Sequence, residues 1–234
     1  MSEESRKVEG IDQIAIFPLP LVLMPFEILP LHIFEPRYRE MLKDAQAGNN
    51  LFGISFFEPG TSFLDRPEPG SIGCVTEIRE SQTMEDGRSN VLTIGLIRYR
   101  INEYIETEKP YLIANVEFFE DDPPEEELPE QADKAFSLFK QLAMATHRIS
   151  GHFGELPDIP KAEPEQLSFL ICAAFNLDIQ KKSQILEMRS TVERLKTINE
   201  ILAKAVFDVE NTEKINKISR TNGHSKKKID TDGI

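Results

Sequence analysis

The chain has 234 residues, 40% of them hydrophobic, which is enough for a sizeable core in one large domain or two small ones. Its formal net charge is −13 and its pI is about 4.9, which disfavours nucleic-acid and anionic membrane surfaces, because both need clustered positive charge on the protein. No stretch reaches about 18 apolar residues and the N-terminus has no apolar leader, so we expect a cytoplasmic protein without a membrane span.

The first half of the sequence predicts a β-domain over residues 11–122, preceded by a disordered polar segment, 1–10. Short runs rich in β-branched and aromatic residues alternate with turn residues, as in antiparallel sheets. The predicted strands are 13–17, 21–26, 29–34, 51–57, 71–78, 89–101 and 111–119. Prolines in the first three runs restrict them to strand ends, edges or bulges, and Asp86-Gly87 predicts a hairpin. Together these features predict an antiparallel sheet closed into a small barrel.

The charged stretch that follows Glu35-Pro36 has two interpretations, a catalytic cluster or the outer face of a helix. Pro36 suits the first position of a helix, because its missing N–H would be unpaired there in any case. The helix would bury one face, which consists of Tyr38, Met41, Leu42 and Ala45. Its charged residues would then lie mostly on the other faces. Catalysis requires convergent groups with shifted pKa values, and nothing in this spacing requires convergence. We therefore predict a short helix that caps the barrel.

An acidic segment, 117–130, separates the two halves of the chain. It contains eight acidic residues, three prolines and no basic residue. Charge repulsion should keep such a segment extended, so we interpret it as a solvated linker. A binding site for a basic partner is the alternative interpretation.

Residues 123–210 are predicted to form a helical bundle. Apolar residues recur at the 3-and-4 spacing of buried helix faces. Pro164 favours a helix start, Asp178 is a suitable N-cap, and Ser190 begins a capping-box pattern that ends at Glu193. The periodicity stops near Asn211. The segment 211–234 has six Lys/Arg against three Asp/Glu and is predicted to be a disordered basic tail.

Several motifs resemble the N-terminal, substrate-binding domain of Lon proteases, in particular its stand-alone bacterial members. The longest is IFPLPLVLMPFEILPLHIFEPRYREML. Further motifs follow in the same order: GSIGCVTEI, GLIRYRI, PYLIANVE and ILEMRSTVERL. The resemblance covers roughly residues 12–206. It implies a PUA-like β-barrel followed by a helical bundle, an α+β fold that agrees with the pattern of the residues.

One residue departs from the family pattern. Family members often have Phe-Pro-Gly where this chain has Met24-Pro25-Phe26. Glycine adopts positive φ easily and phenylalanine does not. The substitution therefore puts the local turn, and any ligand contact there, in question.

No motif in the sequence predicts catalysis, a metal site or a cofactor. A complete Lon protease also has an ATPase module and a Ser-Lys peptidase dyad, and the sequence has no phosphate-loop motif for the first. His147 and His152 lack the spacing and the third ligand of a zinc site. Cys74 and Cys172 are predicted to be reduced core thiols, because two distant cysteines do not make a disulfide framework.

The leading hypothesis is a non-catalytic module that binds unfolded or extended polypeptides. We expect it to act in protein quality control, with a separate protease or chaperone as a candidate partner. Its motivation is the family resemblance. The candidate peptide-binding residues are Phe57, Phe63 and Leu64, next to a Pro/Gly-rich loop, although all three could instead pack into the core. RNA binding is the alternative, since other PUA-like barrels bind RNA. Charge opposes it, because 21 basic and 37 acidic residues remain without the tail. An enzyme of unknown type has no motif in its favour.

Overall fold

The computed structural model describes residues 2–60, 65–149, 162–175 and 177–222, without the side chains of 149 and 213–222. Six strands form one sheet: β1 (Gln13–Leu19), β2 (Ile28–Ile33), β3 (Leu51–Phe56), β4 (Ile72–Thr83), β5 (Ser89–Ile105) and β6 (Leu112–Phe119). The helices are α1 (Glu3–Lys7), α2 (Pro36–Ala47), α3 (Leu128–Ile149), α4 (Pro164–Ala174), α5 (Ile179–Glu187) and α6 (Thr191–Asn222). The chain is therefore α+β, with most strands before most helices.

The sheet has the strand order β2-β5-β4-β3-β1-β6, and β5 also pairs with β6. Pairing thus leads from β5 through β4, β3, β1 and β6 back to β5. Strand β2 pairs with the first half of β5 and β6 with the second half, both on the side of β5 opposite β4. The prediction of a purely antiparallel sheet is wrong, because β1 and β3 are parallel. Parallel neighbours need a long crossover, and the chain supplies one through β2 and α2 between them. A strand pattern does not show which strands become neighbours.

The hairpin between β4 and β5 forms at the predicted residues. Gly87 has a φ of 80°, and the carboxylate of Asp86 accepts a hydrogen bond from the backbone N–H of Arg88 at 3.0 Å. These strands pair antiparallel over most of their length. The turn therefore fixes the register of the longest pair in the sheet.

Helix α2 begins at Pro36, as predicted, and buries the predicted face. Its buried residues are Tyr38, Met41, Leu42 and Ala45. They pack into a core cluster with residues of the sheet such as Phe17 and Phe52. The charged residues of this helix stay at least partly exposed. The stretch after Glu35 is thus the outer surface of a helix packed on the sheet.

A turn between β1 and β2 holds the residue that departs from the family pattern. Phe26 has a φ of 66°. The N–H of Glu27 bonds the carbonyl oxygen of Met24 at 3.2 Å, which describes a type II turn with Pro25 and Phe26 at its centre. The third residue of that turn requires positive φ, normally from glycine. Phe26 therefore takes the glycine conformation at a steric cost.

Gly95 completes this turn from β5. Its N–H bonds the carbonyl oxygen of Glu27 at 2.9 Å, and its carbonyl oxygen accepts the N–H of Phe26 at 2.8 Å, the pattern of a β-bulge. A side-chain Cβ on Gly95 would lie 2.2 Å from the carbonyl oxygen of Met24. The close approach of these two backbones explains why glycine stands at this position.

The N-terminal segment 1–10, predicted to be disordered, contains α1. Ser2 caps this helix by accepting the N–H of Ser5 at 3.0 Å. The side chain of Val8 is 5% exposed and packs into the second core cluster of the sheet. The Lys7 ammonium lies 2.9 Å from the Glu77 carboxylate. One buried valine and this ion pair hold the segment to the sheet, although its polar composition predicts disorder.

Three helices, α3, α4 and α6, share an apolar cluster on the C-terminal side of the chain. Its fully buried members are Ala132, Ala135, Leu142, Leu167, Ile171, Leu195, Ile198, Leu202 and Val206. The predicted caps form: Asp178 accepts the N–H of Lys181 at 2.8 Å, and Ser190 accepts that of Glu193 at 3.1 Å. Helix α6 extends to Asn222, so the tail is helical where disorder was predicted from Asn211. Residues 223–234, the rest of the predicted tail, lie outside the described residues.

The acidic segment is not a solvated linker throughout, because Asp121 is buried between the sheet and the helices. Its carboxylate accepts hydrogen bonds from Arg98 of β5 at 2.5 Å and from Arg194 of α6 at 3.0 Å. The two arginine side chains are 2% and 0% exposed, and that of Asp121 is 6% exposed. Both arginines also donate to the carbonyl oxygen of Met188. We call Arg98, Asp121 and Arg194 the junction triad, because it ties β5 to the start of α6.

Candidate functional site

Strand β2 lies at the edge of the sheet and pairs, among the described strands, with β5 alone. The N–H of Gly95 bonds the carbonyl oxygen of Glu27, and the Thr93 hydroxyl bonds that of Leu29. Because hydrogen-bonded pairs alternate along an antiparallel ladder, every second residue of β2 turns its backbone groups away from β5. These residues are Ile28, Pro30 and His32. Pro30 has no N–H, so its position on the free edge breaks no ladder bond.

The outer face of β2 carries exposed apolar side chains. Ile28 is 63% exposed and Phe34, just past the end of the strand, is 58% exposed. Pro30 and His32 lie between them and are also exposed. The rings of His32 and Phe34 stack, with centroids 6.1 Å apart. We call residues 28, 30, 32 and 34 the edge stripe. An exposed apolar stripe along an edge strand is a surface suited to another chain.

A groove of about 560 Å³ runs beside this strand, between β2, the end of β1 and the start of α2. Its walls are mainly apolar: Phe17, Leu19, Leu21, Leu29, Leu31 and Leu112. Tyr38 also lines the groove, and its ring centroid lies 4.2 Å from that of Phe17. Both aromatic side chains belong to the core cluster under α2. The groove therefore has a rigid wall that is continuous with the core.

A second groove of about 500 Å³ lies where β2, β4 and β5 meet. Its lining includes Pro30, His32, Glu80, Gln82 and Asn90. Nδ1 of His32 is 2.8 Å from Oδ1 of Asn90, which fixes the imidazole on the strand. The edge strand thus has a concave surface on each side.

Charged side chains line the apolar groove, but they do not converge on one point. Glu35 and Asp65 line it, and so does Arg37, whose guanidinium lies 2.9 Å from the Glu35 carboxylate. Arg37 also lies over the Tyr38 ring, 4.6 Å from its centroid. Burial raises the pKa of the Tyr38 phenol, so this hydroxyl stays neutral at ordinary pH. The arrangement offers apolar contacts, unpaired backbone groups and rim charges, which is a binding geometry.

One of the three predicted peptide-binding residues is described. Phe57 lines the apolar groove, but only 9% of its surface is exposed. It is therefore mostly a wall residue. Phe63 and Leu64 lie outside the described residues, and the role of all three in binding stays a prediction.

Ile28 and Phe34 were not among the predicted site residues. The signal that could have found them is the period-2 alternation of residues 28–34, in which Leu29, Leu31 and Ile33 face inward. Residues 29–34 also form one apolar run, which hides this alternation. The sequence does not show that β2 is an edge strand, or that the face with Ile28 and Phe34 stays exposed.

A protein-family comparison bears on this geometry. Residues 13–204 match the model of the ATP-dependent protease La (LON) substrate-binding domain. The chain belongs to this family. The match includes the edge stripe, the apolar groove and the junction triad. It concerns the substrate-binding domain and no catalytic domain.

Similar full-length proteins are Lon proteases. The chain is 26% identical to Lon protease 2 of Bdellovibrio bacteriovorus over 97% of its own length and 28% of that protein. It is 28% identical to the Lon protease of Syntrophomonas wolfei over 87% of its length and 25% of that protein. The chain thus spans about a quarter of the length of these relatives.

Two solved structures of Lon N-terminal domains share the fold. The crystal structure of a Lon N-terminal domain protein from Xanthomonas campestris has a TM-score of 0.61 at 20% identity, covering 80% of this chain and 97% of that one. The N-terminal domain of the Mycobacterium avium complex Lon protease has a TM-score of 0.60 at 18% identity, covering 82% and 98%. At these identities the likeness concerns the fold alone.

The buried thiols are not arranged as nucleophiles. Cys74 and Cys172 are free and buried, as predicted. Burial raises the pKa of Cys172 to about 11 and raises that of Cys74 still further, so both thiols stay protonated at neutral pH. Within the described residues, no group of three His, Cys, Asp or Glu side chains could hold a metal ion. In the same ranges, no helix has the length and apolarity needed to cross a membrane.

Proposed function

We propose that this chain is a non-catalytic module that binds extended or unfolded polypeptides along the edge strand β2. One observation carries the proposal: the uncovered edge strand has two exposed apolar residues, Ile28 and Phe34, and lies beside an apolar groove. Membership of a substrate-binding family supports it. An extended chain suits such a site, because its backbone can bond the free edge while alternate side chains enter the groove.

We further propose that the module acts in cytoplasmic protein quality control and presents bound polypeptides to a separate protease or chaperone. The family name motivates this step. We also propose that the sheet is a PUA-like barrel and that the C-terminal helices form a bundle. The return of strand pairing to β5 and the shared apolar cluster of α3, α4 and α6 support these two descriptions.

The test measures binding of a labelled, permanently unfolded casein-like protein to the full chain. Ile28→Ser and Phe34→Ser together should weaken binding at least about tenfold, because central apolar anchors each contribute more than about 1 kcal/mol. Phe207→Ser is the matched control, since Phe207 is 64% exposed on α6, far along the chain from the edge stripe. Equal effects of the edge and control variants would contradict the proposed site.

The same preparation should turn over neither ATP nor the casein-like protein. Activity that persists through purification and scales with the amount of this chain would overturn the non-catalytic part of the proposal. Co-purified RNA that competes with the polypeptide would favour the RNA-binding alternative. No observation at the groove favours RNA, since its rim carries carboxylates.

A further inference from the structure

The two grooves that flank β2 differ in shape but share the sign of their charge. Glu35 and Asp65 line the apolar groove, and Glu80 lines the second groove. Arg37 is the single Lys or Arg among the described residues that line either groove. Three carboxylates therefore face the edge stripe against one guanidinium.

That guanidinium is already occupied. Nε of Arg37 donates to Oε2 of Glu35 at 3.0 Å, and a terminal nitrogen lies 2.9 Å from the same oxygen. The pair is neutral as a unit, so Arg37 offers little attraction to a carboxylate on a ligand. The two other carboxylates, Asp65 and Glu80, therefore determine the sign of the local electrostatic field. The net charge of the whole chain, −13, adds a long-range field of the same sign.

The Glu35 carboxylate is not fully used by Arg37. A carboxylate has two oxygens and about four acceptor positions, and Arg37 occupies one oxygen of Glu35. The side chain of Glu35 is 41% exposed. Its second oxygen can accept a hydrogen bond from a cationic ligand, whereas an anionic ligand would meet repulsion there.

We propose, building on the polypeptide-binding function above, that the edge stripe selects segments in which apolar residues are flanked by Lys or Arg. The apolar side chains enter the groove lined by Phe17 and Tyr38. The flanking cations lie against Asp65 and Glu35 on one side of β2 and against Glu80 on the other. Segments whose apolar centre is flanked by Asp or Glu bind more weakly, because among the described residues that line the two grooves no free Lys or Arg receives them.

The size of the preference follows from exposed ion pairs, each of which stabilises a contact only weakly. Two or three such pairs give a preference of roughly 5-fold at low ionic strength. Salt screens charges at a surface, so the preference should shrink as salt is added. The affinity that comes from apolar contacts should be nearly independent of salt.

The experiment compares two labelled peptides with the same alternating Leu-Ser centre, one flanked by lysines and the other by glutamates. Fluorescence anisotropy measures their affinities for the full chain at low and high salt. The test variant combines Glu35→Gln, Asp65→Asn and Glu80→Gln. The control variant combines Glu200→Gln and Glu210→Gln, two exposed carboxylates on α6.

The expected result is tighter binding of the lysine-flanked peptide, a preference abolished in the test variant and kept in the control. Equal binding of both peptides, or a preference that survives in the test variant, would overturn this inference and leave the proposed function in place. Binding of neither peptide, or binding unaffected by Phe34→Ser, would instead overturn the proposed function itself.

Discussion

The junction triad and the edge stripe reverse the usual distribution of side chains. At the junction, three charged side chains are almost completely buried between β5 and α6. At the edge stripe, isoleucine and phenylalanine stand in solvent. Buried charge is stable only when it is paired and hydrogen-bonded, and the junction meets that condition. Exposed apolar surface has no such compensation within the chain, which is why we propose the edge stripe as an interaction surface.

The two regions also differ in what their residues are needed for. The junction joins two parts of the chain, and its partners come from β5, the segment after β6, and α6. The edge stripe touches solvent and is backed by core residues. Changes at the junction should therefore alter stability, and changes at the edge should alter binding. Four predictions test this difference, from the largest expected effect on stability to the smallest.

Asp121→Ala should lower the free energy of unfolding by about 3–5 kcal/mol, because two buried guanidinium groups lose their shared carboxylate. Urea denaturation followed by circular dichroism measures the change. Asp122→Ala is the matched control, since Asp122 and its partner Arg189 are both more than half exposed. The control should cost less than about 1 kcal/mol. Similar losses in the two variants would show that burial of the triad is not what stabilises the junction.

Tyr38→Ala should cost about 3 kcal/mol or more, because Tyr38 is 7% exposed and packs on Phe17. Arg39→Ala should cost less than about 0.5 kcal/mol, as for a partly exposed charge. Thermal denaturation of both variants measures the difference. Tyr38 belongs both to the core and to the groove wall. These two variants therefore test whether a residue beside the edge stripe can still be needed for stability. A large loss in Arg39→Ala would mean that the packing of its guanidinium over Gly87 matters more than we expect.

Phe26→Gly should be more stable than Phe26→Ala by about 1 kcal/mol, the cost that positive φ imposes on a residue with a Cβ. Both variants lose the same ring, which packs against the cluster of Val22, Met24 and Phe169. Their difference therefore isolates the backbone of the type II turn. In an ordinary strand the glycine variant would be the less stable of the two. A lower melting temperature for Phe26→Gly than for Phe26→Ala would therefore show that the turn is not strained.

Phe34→Ser should change the free energy of unfolding by less than about 0.5 kcal/mol while it weakens polypeptide binding, because its ring is 58% exposed. Differential scanning calorimetry and the binding assay, run on one preparation, measure both effects. A large loss of stability would mean that the edge stripe contributes to the fold like the junction, and the contrast between the two regions would not hold.

The sequence by itself determined the local elements of this protein. Pro36 at the start of α2, Asp86-Gly87 in the hairpin, and the caps at Asp178 and Ser190 are where the residues predict them. Each depends on contacts within a few residues, which are visible in a linear pattern. The buried face of α2 was equally readable, because its period of 3.6 residues shows in twelve residues of sequence.

Only the tertiary structure decided the features that depend on distant neighbours. Three features depend on residues that lie far apart in the chain: the parallel pairing of β1 with β3, the edge position of β2 and the burial of Asp121. An acidic segment with three prolines predicts solvation, yet Asp121 is buried because Arg98 and Arg194, which lie far from it in the chain, both donate to its carboxylate. The same reason applies to Ile28 and Phe34. An apolar residue in or beside a strand predicts burial, but whether another element covers it depends on residues that are distant in the chain.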